Sequence, residues 1–304
     1  MDLHGNVSLA LAASASWGGG DYSGGRGVQA AGGTTSGALR LVIVGHGLSL
    51  VAMLLWLGLR PQPWPPTGLL LWGLAGGASQ AVSLTAFYVA LSRGAMGASA
   101  AVSGLIAASI PAIYSTLLEG SPGLLRIAGF LLAAAAIWLI AAGPTPSGTS
   151  PAHRRTTMLL AVTGGLGFGF YFITLRLDNP LGVVEPMAIA RAASLVCCVL
   201  LLVLVSYARS RQKQVLRSAQ DDNTPWLSRT ALGWAFGVAL LDTGGNMLFL
   251  AATRLGRLDV AAVLSSLYPA GTILLAAWLL HERPTRRQIT GMVVALAAVV
   301  MITL

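Results

Sequence analysis

The sequence predicts an all-α polytopic membrane protein of ten helices, and three observations predict it. Of 304 residues, 55 % are hydrophobic and 10 % charged, with a mean hydropathy of +0.73, whereas soluble chains carry about one quarter charged residues. The apolar residues fall into runs of roughly twenty, the length at which a helix crosses a bilayer's hydrocarbon core. The chain also resembles itself: a shift of 162 (256 − 94) lays Gly94 on Gly256, Ser103 on Ser265, Leu105 on Leu267 and Gly129 on Gly291. It therefore reads as a duplication, with one repeat at 1–143, a linker at 144–156 and a second repeat at 157–304.

The first helix is expected at 5–30. Its opening residues include a small-residue stretch but no positive segment before it, so it reads as a membrane helix and not as a cleaved signal peptide. The run from Trp17 through Gly18, Gly19, Gly20 and Asp21 to Arg26 predicts a poor, bent helix, with glycine serving close packing or a hinge. The second helix, 36–59, stops at Arg60-Pro61-Gln62-Pro63-Trp64-Pro65-Pro66, which no helix could cross. The third and fourth are expected at 68–91 and 95–118, and the fifth at 123–142 with Ser121 as N-cap and Pro122 in the first turn.

The stretch Pro144-Thr-Pro-Ser-Gly-Thr-Ser-Pro151 divides the repeats. The sixth helix follows at 157–175, the seventh at 183–207 and the eighth at 231–253, with 209–229 as a polar, basic, exposed loop. The ninth, 260–280, and the tenth, 291–304 with its lead-in, form a hairpin. His281, Glu282 and Arg283 close the ninth, and Thr285 with Gln288 makes the capping box that starts the tenth. Five helices per repeat is an odd number, so the second repeat enters the bilayer from the opposite side, giving inverted repeats with a site expected near the midplane between them.

The net charge of +9 is almost wholly arginine, Lys213 being the only lysine. It falls mostly between apolar runs, where basic residues set orientation and meet lipid headgroups, and forms no stripe suited to nucleic acid. Cys197 and Cys198 are adjacent, too close for ordinary disulfide geometry and without the spaced partners of a metal site. No G-x-x-x-x-G-K-[ST], H-E-x-x-H or G-x-S-x-G pattern occurs, which argues against nucleotide-driven pumping and membrane proteolysis. No enzyme activity, cofactor or metal is expected.

An ionisable group inside a membrane helix costs roughly 2.5–3.5 kcal/mol on insertion scales, so each needs a partner, a wet cavity or a function. Asp242 lies mid-run in the eighth helix with Asn246 one turn on, on the same face. The two read either as cavity-lining groups that bind a cation, an amine or a proton, or as an interhelical hydrogen bond that locks packing. A shift of 145 (194 − 49) lays Ser49-Leu50-Val51 on Ser194-Leu195-Val196 and places His46 on Arg191. That pair could flank a central cavity and hold a carboxylate, or Arg191 could snorkel to the near interface. A zwitterion would suit Arg191 for its carboxylate and Asp242 for its ammonium. Asp21, near Arg26, is either a coupling carboxylate or a wet helix-end residue. Asp242, Asp21 and His46 are the groups available to carry a proton, while for Glu119 and Glu282 capping and salt bridging suffice.

The motifs Leu241-Asp242-x-x-x-Asn246, Ala252-x-Arg254-x-Gly256, Ser265-Ser266-Leu267-Tyr268-Pro269, Glu282-Arg283 and Gln288-x-x-Gly291, taken in order and spacing, resemble the second repeat of EamA-type members of the drug/metabolite transporter superfamily. The resemblance implies ten helices in two five-helix repeats. It also implies a secondary transporter of the cell inner membrane that exports small organic metabolites such as amino acids by alternating access, as a monomer or homodimer, with protons as candidate coupling ions. It assigns helices one, three, four, six and nine to the cavity, where Trp17, Tyr88, Tyr114, Tyr171 and Tyr268 could stack on a substrate, although membrane aromatics also serve as anchors and packing. Pro111 and Pro269 would interrupt helices four and nine at a gate. Two departures stand out: Gly18-Gly19-Gly20-Asp21 where bulkier apolar residues are expected, and Glu119 followed by Gly120-Ser121-Pro122 in place of arginine. Orientation has two readings. The resemblance places both termini inside, whereas the arginines of the 5–6, 7–8 and 9–10 loops favour the reverse. The alternative from another class is a non-transporting scaffold, sensor or lipid-handling protein, in which Asp242 and Arg191 pair with each other or with backbone and leave no cavity that water can enter.

Overall fold

The computed structural model describes residues 2–60, 63–93, 96–141, 150–216, 226–279 and 285–303. The described residues form eleven α-helices: α1 (Leu3–Ala30), α2 (Thr35–Leu59), α3 (Thr67–Ser92), α4 (Met96–Glu119), α5 (Leu124–Ala141), α6 (Pro151–Leu177), α7 (Val184–Leu216), α8 (Arg229–Leu255), α9 (Leu258–Ser265), α10 (Tyr268–Leu279) and α11 (Arg286–Thr303). A single 3-10 turn, Asn179–Leu181, joins α6 to α7. Segments α9 and α10 together make the expected ninth helix, broken at Ser266 and Leu267.

Burial follows the logic of a bilayer. Large apolar side chains such as Leu54, Leu55, Trp56, Leu204, Leu240 and Leu296 are exposed on the outside, whereas Arg191, Gln80, His46, Asn246 and Asp242 are buried within. Among the described residues, six helical stretches are long and apolar enough to cross a membrane: α2, α3, α4, α6, α8 and Val184–Ala208 of α7. α1, rich in glycine and serine, is wrapped by protein, packing on α8, α9, α10 and α3, so that Ser14, Ser23 and the glycines from Gly18 to Gly27 are buried.

Contacts between the two halves recur in matched form. α1 lies along α8 as α3 lies along α6, α4 packs on α6 as α9 and α10 pack on α1, and α3 meets α7 as α2 meets α8. α2 against α7, α4 against α9, and α5 against α11 complete the set.

Several boundaries differ from expectation for identifiable reasons. α1 is one unbroken helix, because lipid offers no hydrophobic drive between helices and glycine lets backbones approach for van der Waals contact instead. A Cβ at Gly18 would sit 3.0 Å from the backbone of Gly271 and Thr272. α5 begins at Leu124, so Pro122 stands outside it; Ser121 Oγ accepts from the Gly123 N–H at 3.3 Å, and Gly123 takes φ +94°. α6 starts at Pro151, with Ser150 as its N-cap, and α7 continues through part of the expected basic loop to Leu216. The capping box at Thr285 and Gln288 forms reciprocally, at 2.8 and 3.3 Å. Positions 144–149 of the linker and His281, Glu282 and Arg283 lie outside the described residues.

At the end of the bundle where α4, α6 and α8 finish and α1 and α9 begin, arginines stitch helix ends together. Arg176 pairs with Glu119 at 3.4 Å and donates to the Thr253 carbonyl. Arg254 donates to the Asn179 carbonyl. Arg257 pairs with Asp259 at 2.8 Å and donates to the Gly120 carbonyl at 2.8 Å, and Asn6 donates to the Ala252 carbonyl at 2.9 Å. These bonds satisfy orphan carbonyls that helix ends leave unpaired.

Asp178, just past the end of α6, is buried with one oxygen unpartnered, and burial pushes its carboxyl from 3.8 up to about 7. The fold therefore keeps a proton there that the unfolded chain has already released. Its contribution is full below the ordinary carboxylate value and is lost as pH rises through about 7. Asp178→Asn is expected to flatten the decline in melting temperature between about pH 4 and 7, measured beside the native protein; an unchanged decline would contradict it. A Cβ at Gly24 would meet the fully buried Tyr88 ring at 2.3 Å. Gly24→Ala is therefore expected to cost about 1–3 kcal/mol by overpacking, read as a lower thermal midpoint.

Candidate functional site

The site begins with Arg191, two turns into α7 and fully buried. The snorkelling alternative is thereby removed: the side chain turns into the bundle. A guanidinium has five N–H donors and no acceptor, and here three other helices answer it. One terminal nitrogen, Nη2, donates to Asp242 Oδ2 of α8 at 2.6 Å and to Thr243 Oγ1 at 3.2 Å. The other, Nη1, donates to Gln80 Oε1 of α3 at 2.9 Å and meets His46 Nε2 of α2 at 2.6 Å. Its Nε has no partner among the described residues.

These contacts fix the histidine tautomer. An arginine N–H only donates, so His46 Nε2 accepts and carries no proton, and Nδ1–H is left to donate to Ser194 Oγ at 2.8 Å. His46 is neutral in this arrangement and does not act as a second cation. Asn246 sits one turn from Asp242 on the same face, as its spacing requires. Its Nδ2 donates to Asp242 Oδ1 at 3.1 Å and to the Asp242 carbonyl at 2.7 Å.

His46 and Arg191, expected to flank a cavity and hold a carboxylate, instead contact each other, while Asp242 and Asn246 lie on one face and bond. Gln80, Ser194 and Thr243 were missed. The signal for Gln80 was present: the 162-residue shift that aligns the two hairpins also lays Gln80 on Asp242 (242 − 80). The centre thus joins two positionally matched pairs, His46 with Arg191 and Gln80 with Asp242.

Beside this network is a cavity lined by Asp21, Gln80, Asp242, Asn246 and Leu84 together with six aromatic rings: Trp17, Phe87, Phe168, Tyr171, Phe172 and Tyr268. The cavity's volume is about 20 Å³, roughly the space of one water molecule. The rings brace one another. Trp17 stacks on Phe172 at 5.1 Å and stands edge-on to Tyr268 at 6.3 Å, and Phe87 stands edge-on to Phe168 at 5.6 Å. Asp21 is 7 % exposed and has no hydrogen-bond or ion-pair partner among the described residues. Arg26 donates to Gln29 at 3.0 Å. Asp21 is thus not a wet helix-end residue.

Of the five aromatics singled out in sequence, Trp17, Tyr171 and Tyr268 line the cavity, whereas Tyr88 and Tyr114 do not. Tyr88 packs against Gly24 and Phe87, and Tyr114 packs, half-buried, on the core. Pro111 does not interrupt α4, which runs through it. Pro269 stands in the first turn of α10, immediately after the break, where a missing N–H costs least. The broken segment is tied to its neighbours: Ser265 Oγ donates to the Ala10 carbonyl at 3.1 Å, Tyr268 Oη to Ala100 at 3.2 Å, and Thr272 Oγ1 to Gly18 at 3.2 Å. No cluster of three His, Cys, Asp or Glu able to hold a metal occurs among the described residues. Cys197 and Cys198 are free thiols. The arrangement sets aromatic and apolar walls beside charged and amide groups.

Residues 155–304 match the model of the EamA-like transporter family. No curated protein matches the chain by sequence. A crystal structure described only as that of a protein shares the fold, with a TM-score of 0.64 at 15 % identity over 96 % of this chain and 98 % of that one.

Removing one partner of a buried ion pair strands the other charge, at a typical cost of about 3–5 kcal/mol, whereas removing both together is far less costly. Arg191→Met and Asp242→Leu are each expected to lower stability by that order, and the double variant by much less than their sum. Additive losses in a double-mutant cycle would show that the pair does not couple.

Proposed function

By residues 155–304 the chain belongs to the EamA-like transporter family, and from that premise we propose that it is a secondary active transporter that exports small organic metabolites such as amino acids. It works by alternating access in the cell inner membrane. The two repeats, 1–143 and 157–304, are inverted copies that rock about the central charge network. The matched contacts between the halves support this reading, as does the meeting at Arg191 of side chains from two repeat-matched position pairs, His46 with Arg191 and Gln80 with Asp242.

The observation that carries the proposal is the cavity itself. It lies between α1, α3, α6, α8 and α10, and two carboxylates and six aromatic rings converge on it. Pockets for small organic molecules have this composition, mostly apolar walls with a few placed polar groups. Trp17, Tyr171, Tyr268, Asp242 and Asn246 are the proposed contacts, with Arg191 and His46 fixing Asp242 from behind. At about 20 Å³ the cavity fits an occluded state. The arginine-stitched end formed by Arg176, Glu119, Arg254 and Arg257 is the closure that has to break on one side, while the break before Pro269 lets α9 and α10 move separately. Protons are the proposed coupling ions, with Asp21 and Asp242 as carriers. His46 is excluded from that role while it accepts from Arg191.

A second reading has its own observation. Arg191 and Asp242 pair with each other at 2.6 Å, and the neighbouring space is small, as a scaffold built on a dry bundle requires. The two readings separate in reconstituted vesicles. Protein-dependent flux of radiolabelled amino acids, accelerated by an imposed pH gradient, is expected for the transporter. Flux indifferent to the gradient would remove proton coupling, and no flux for any compound in a panel of amino acids, amines and drugs would favour the scaffold.

A further inference from the structure

We propose that Asp21 anchors the cationic group of the substrate, and that the cavity takes an amine or other organic cation on an aromatic or apolar body, with no substrate carboxylate required. This rests on the transporter reading above and names its substrate class.

The argument is a charge count within the bundle. The buried ionisable groups around the cavity are Asp21, His46, Arg191 and Asp242. Arg191 and Asp242 neutralise each other at 2.6 Å. His46 is neutral, because its Nε2 accepts from Arg191 while its Nδ1 meets Ser194. Asp21 remains, 93 % buried by subtraction from its 7 % exposure, on the cavity wall and without a partner among the described residues. Its carboxyl is the one acid of the site with no partner among the described residues, and an incoming cation would give it one.

Chemistry then selects the ligand. A hard metal ion needs about six or more oxygen ligands, and this cavity supplies one free carboxyl. Aromatic faces are negative at their centres and hold organic cations within about 6 Å, and six rings surround the space. A substrate carboxylate has no comparable seat. Both terminal nitrogens of Arg191 are already engaged, Nη1 by His46 and Gln80 and Nη2 by Asp242 and Thr243, so a bidentate fork is free only if the central network comes apart. The departure in the first helix, where an acid follows three glycines, thus acquires a purpose. The glycines bring α1 against α8, with a Cβ at Gly20 only 3.2 Å from the Asp242 backbone nitrogen, and the acid occupies the wall beside it.

The test uses three probes that share a phenylethyl body, 2-phenylethylamine, L-phenylalanine and 3-phenylpropionate, added to the purified full chain. The amine is expected to raise the melting temperature, 3-phenylpropionate to leave it unchanged, Asp21→Asn to abolish the amine shift and Asp21→Glu to keep it. In the native protein the amine should also slow carbodiimide labelling of Asp21, read by peptide mass, which needs no variant to fold. The proposal is overturned if the amine gives neither shift nor protection, if its shift survives in Asp21→Asn, or if 3-phenylpropionate gives the larger shift. If vesicles move phenylalanine while the amine neither binds nor competes, this inference falls and the transporter stands. If the amine binds through Asp21 and nothing is moved across the vesicle, the site stands and transport falls.

Discussion

A guanidinium buried in the middle of a membrane protein has to be answered by other side chains, because neither lipid nor bulk water can do it. Arg191 is that group, and its position dictates much of what surrounds it. α2, α3 and α8 each send one polar side chain to the same point, so their relative heights and rotations are fixed by His46, Gln80 and Asp242. Asp242 in turn orients Asn246, and Ser194 holds the far side of His46. A network of this kind adds little net stability compared with an apolar core, but removing one member strands the others. It sets register among four helices whose remaining surfaces are largely apolar, and apolar surfaces pack in many ways.

The glycines of α1 complete the arrangement. Packing in a bilayer depends on close contact, since helix faces gain no hydrophobic advantage by leaving lipid. Gly18 and Gly24 let α1 approach α10 and the Tyr88 ring, and α1 becomes the central post against which α8, α9 and α10 rest. One wall of the cavity is therefore a helix held by close backbone contact and by side-chain bonds to its neighbours, among them Ser16 to the Leu241 carbonyl and Thr272 to the Gly18 carbonyl. The end facing α9 is stitched by arginines to backbone carbonyls, bonds that can be exchanged for water when helices separate. Rigid pairing at the centre and replaceable pairing at an end are the two properties alternating access requires.

Much of this was legible in sequence, and the unread parts have physical causes. Composition and apolar run length gave the membrane class and the helices, because both depend only on the solvent. The 145-residue shift placed His46 opposite Arg191 correctly. Gln80 escaped because an amide in a membrane helix looks innocuous beside ions, although the same shift that relates the hairpins points to it. The break at Ser266 and Leu267 was displaced from Pro269 because proline tolerates a first helical turn and so marks a start, whereas Pro111 is absorbed within α4. Helix ends were read short at α6 and long at α5, since polar ends continue as helix beyond the apolar run and a glycine with positive φ delays a start. The pairing of Arg191 with Asp242 was foreseen only in the rival reading, because sequence shows two opposite charges without showing whether they face each other or a ligand.

The central claim is that water and solute reach this interior from each side in turn. The most direct measurement places a single cysteine at Leu84, on the cavity wall, in a chain with Cys197 and Cys198 replaced by alanine, and applies a membrane-impermeant maleimide from one face of sealed vesicles and then from the other. The account predicts labelling from both faces, with a bound ligand changing the two rates in opposite directions. A cysteine that reacts from neither face, yet reacts fully once the protein is denatured, would show a dry interior and contradict it.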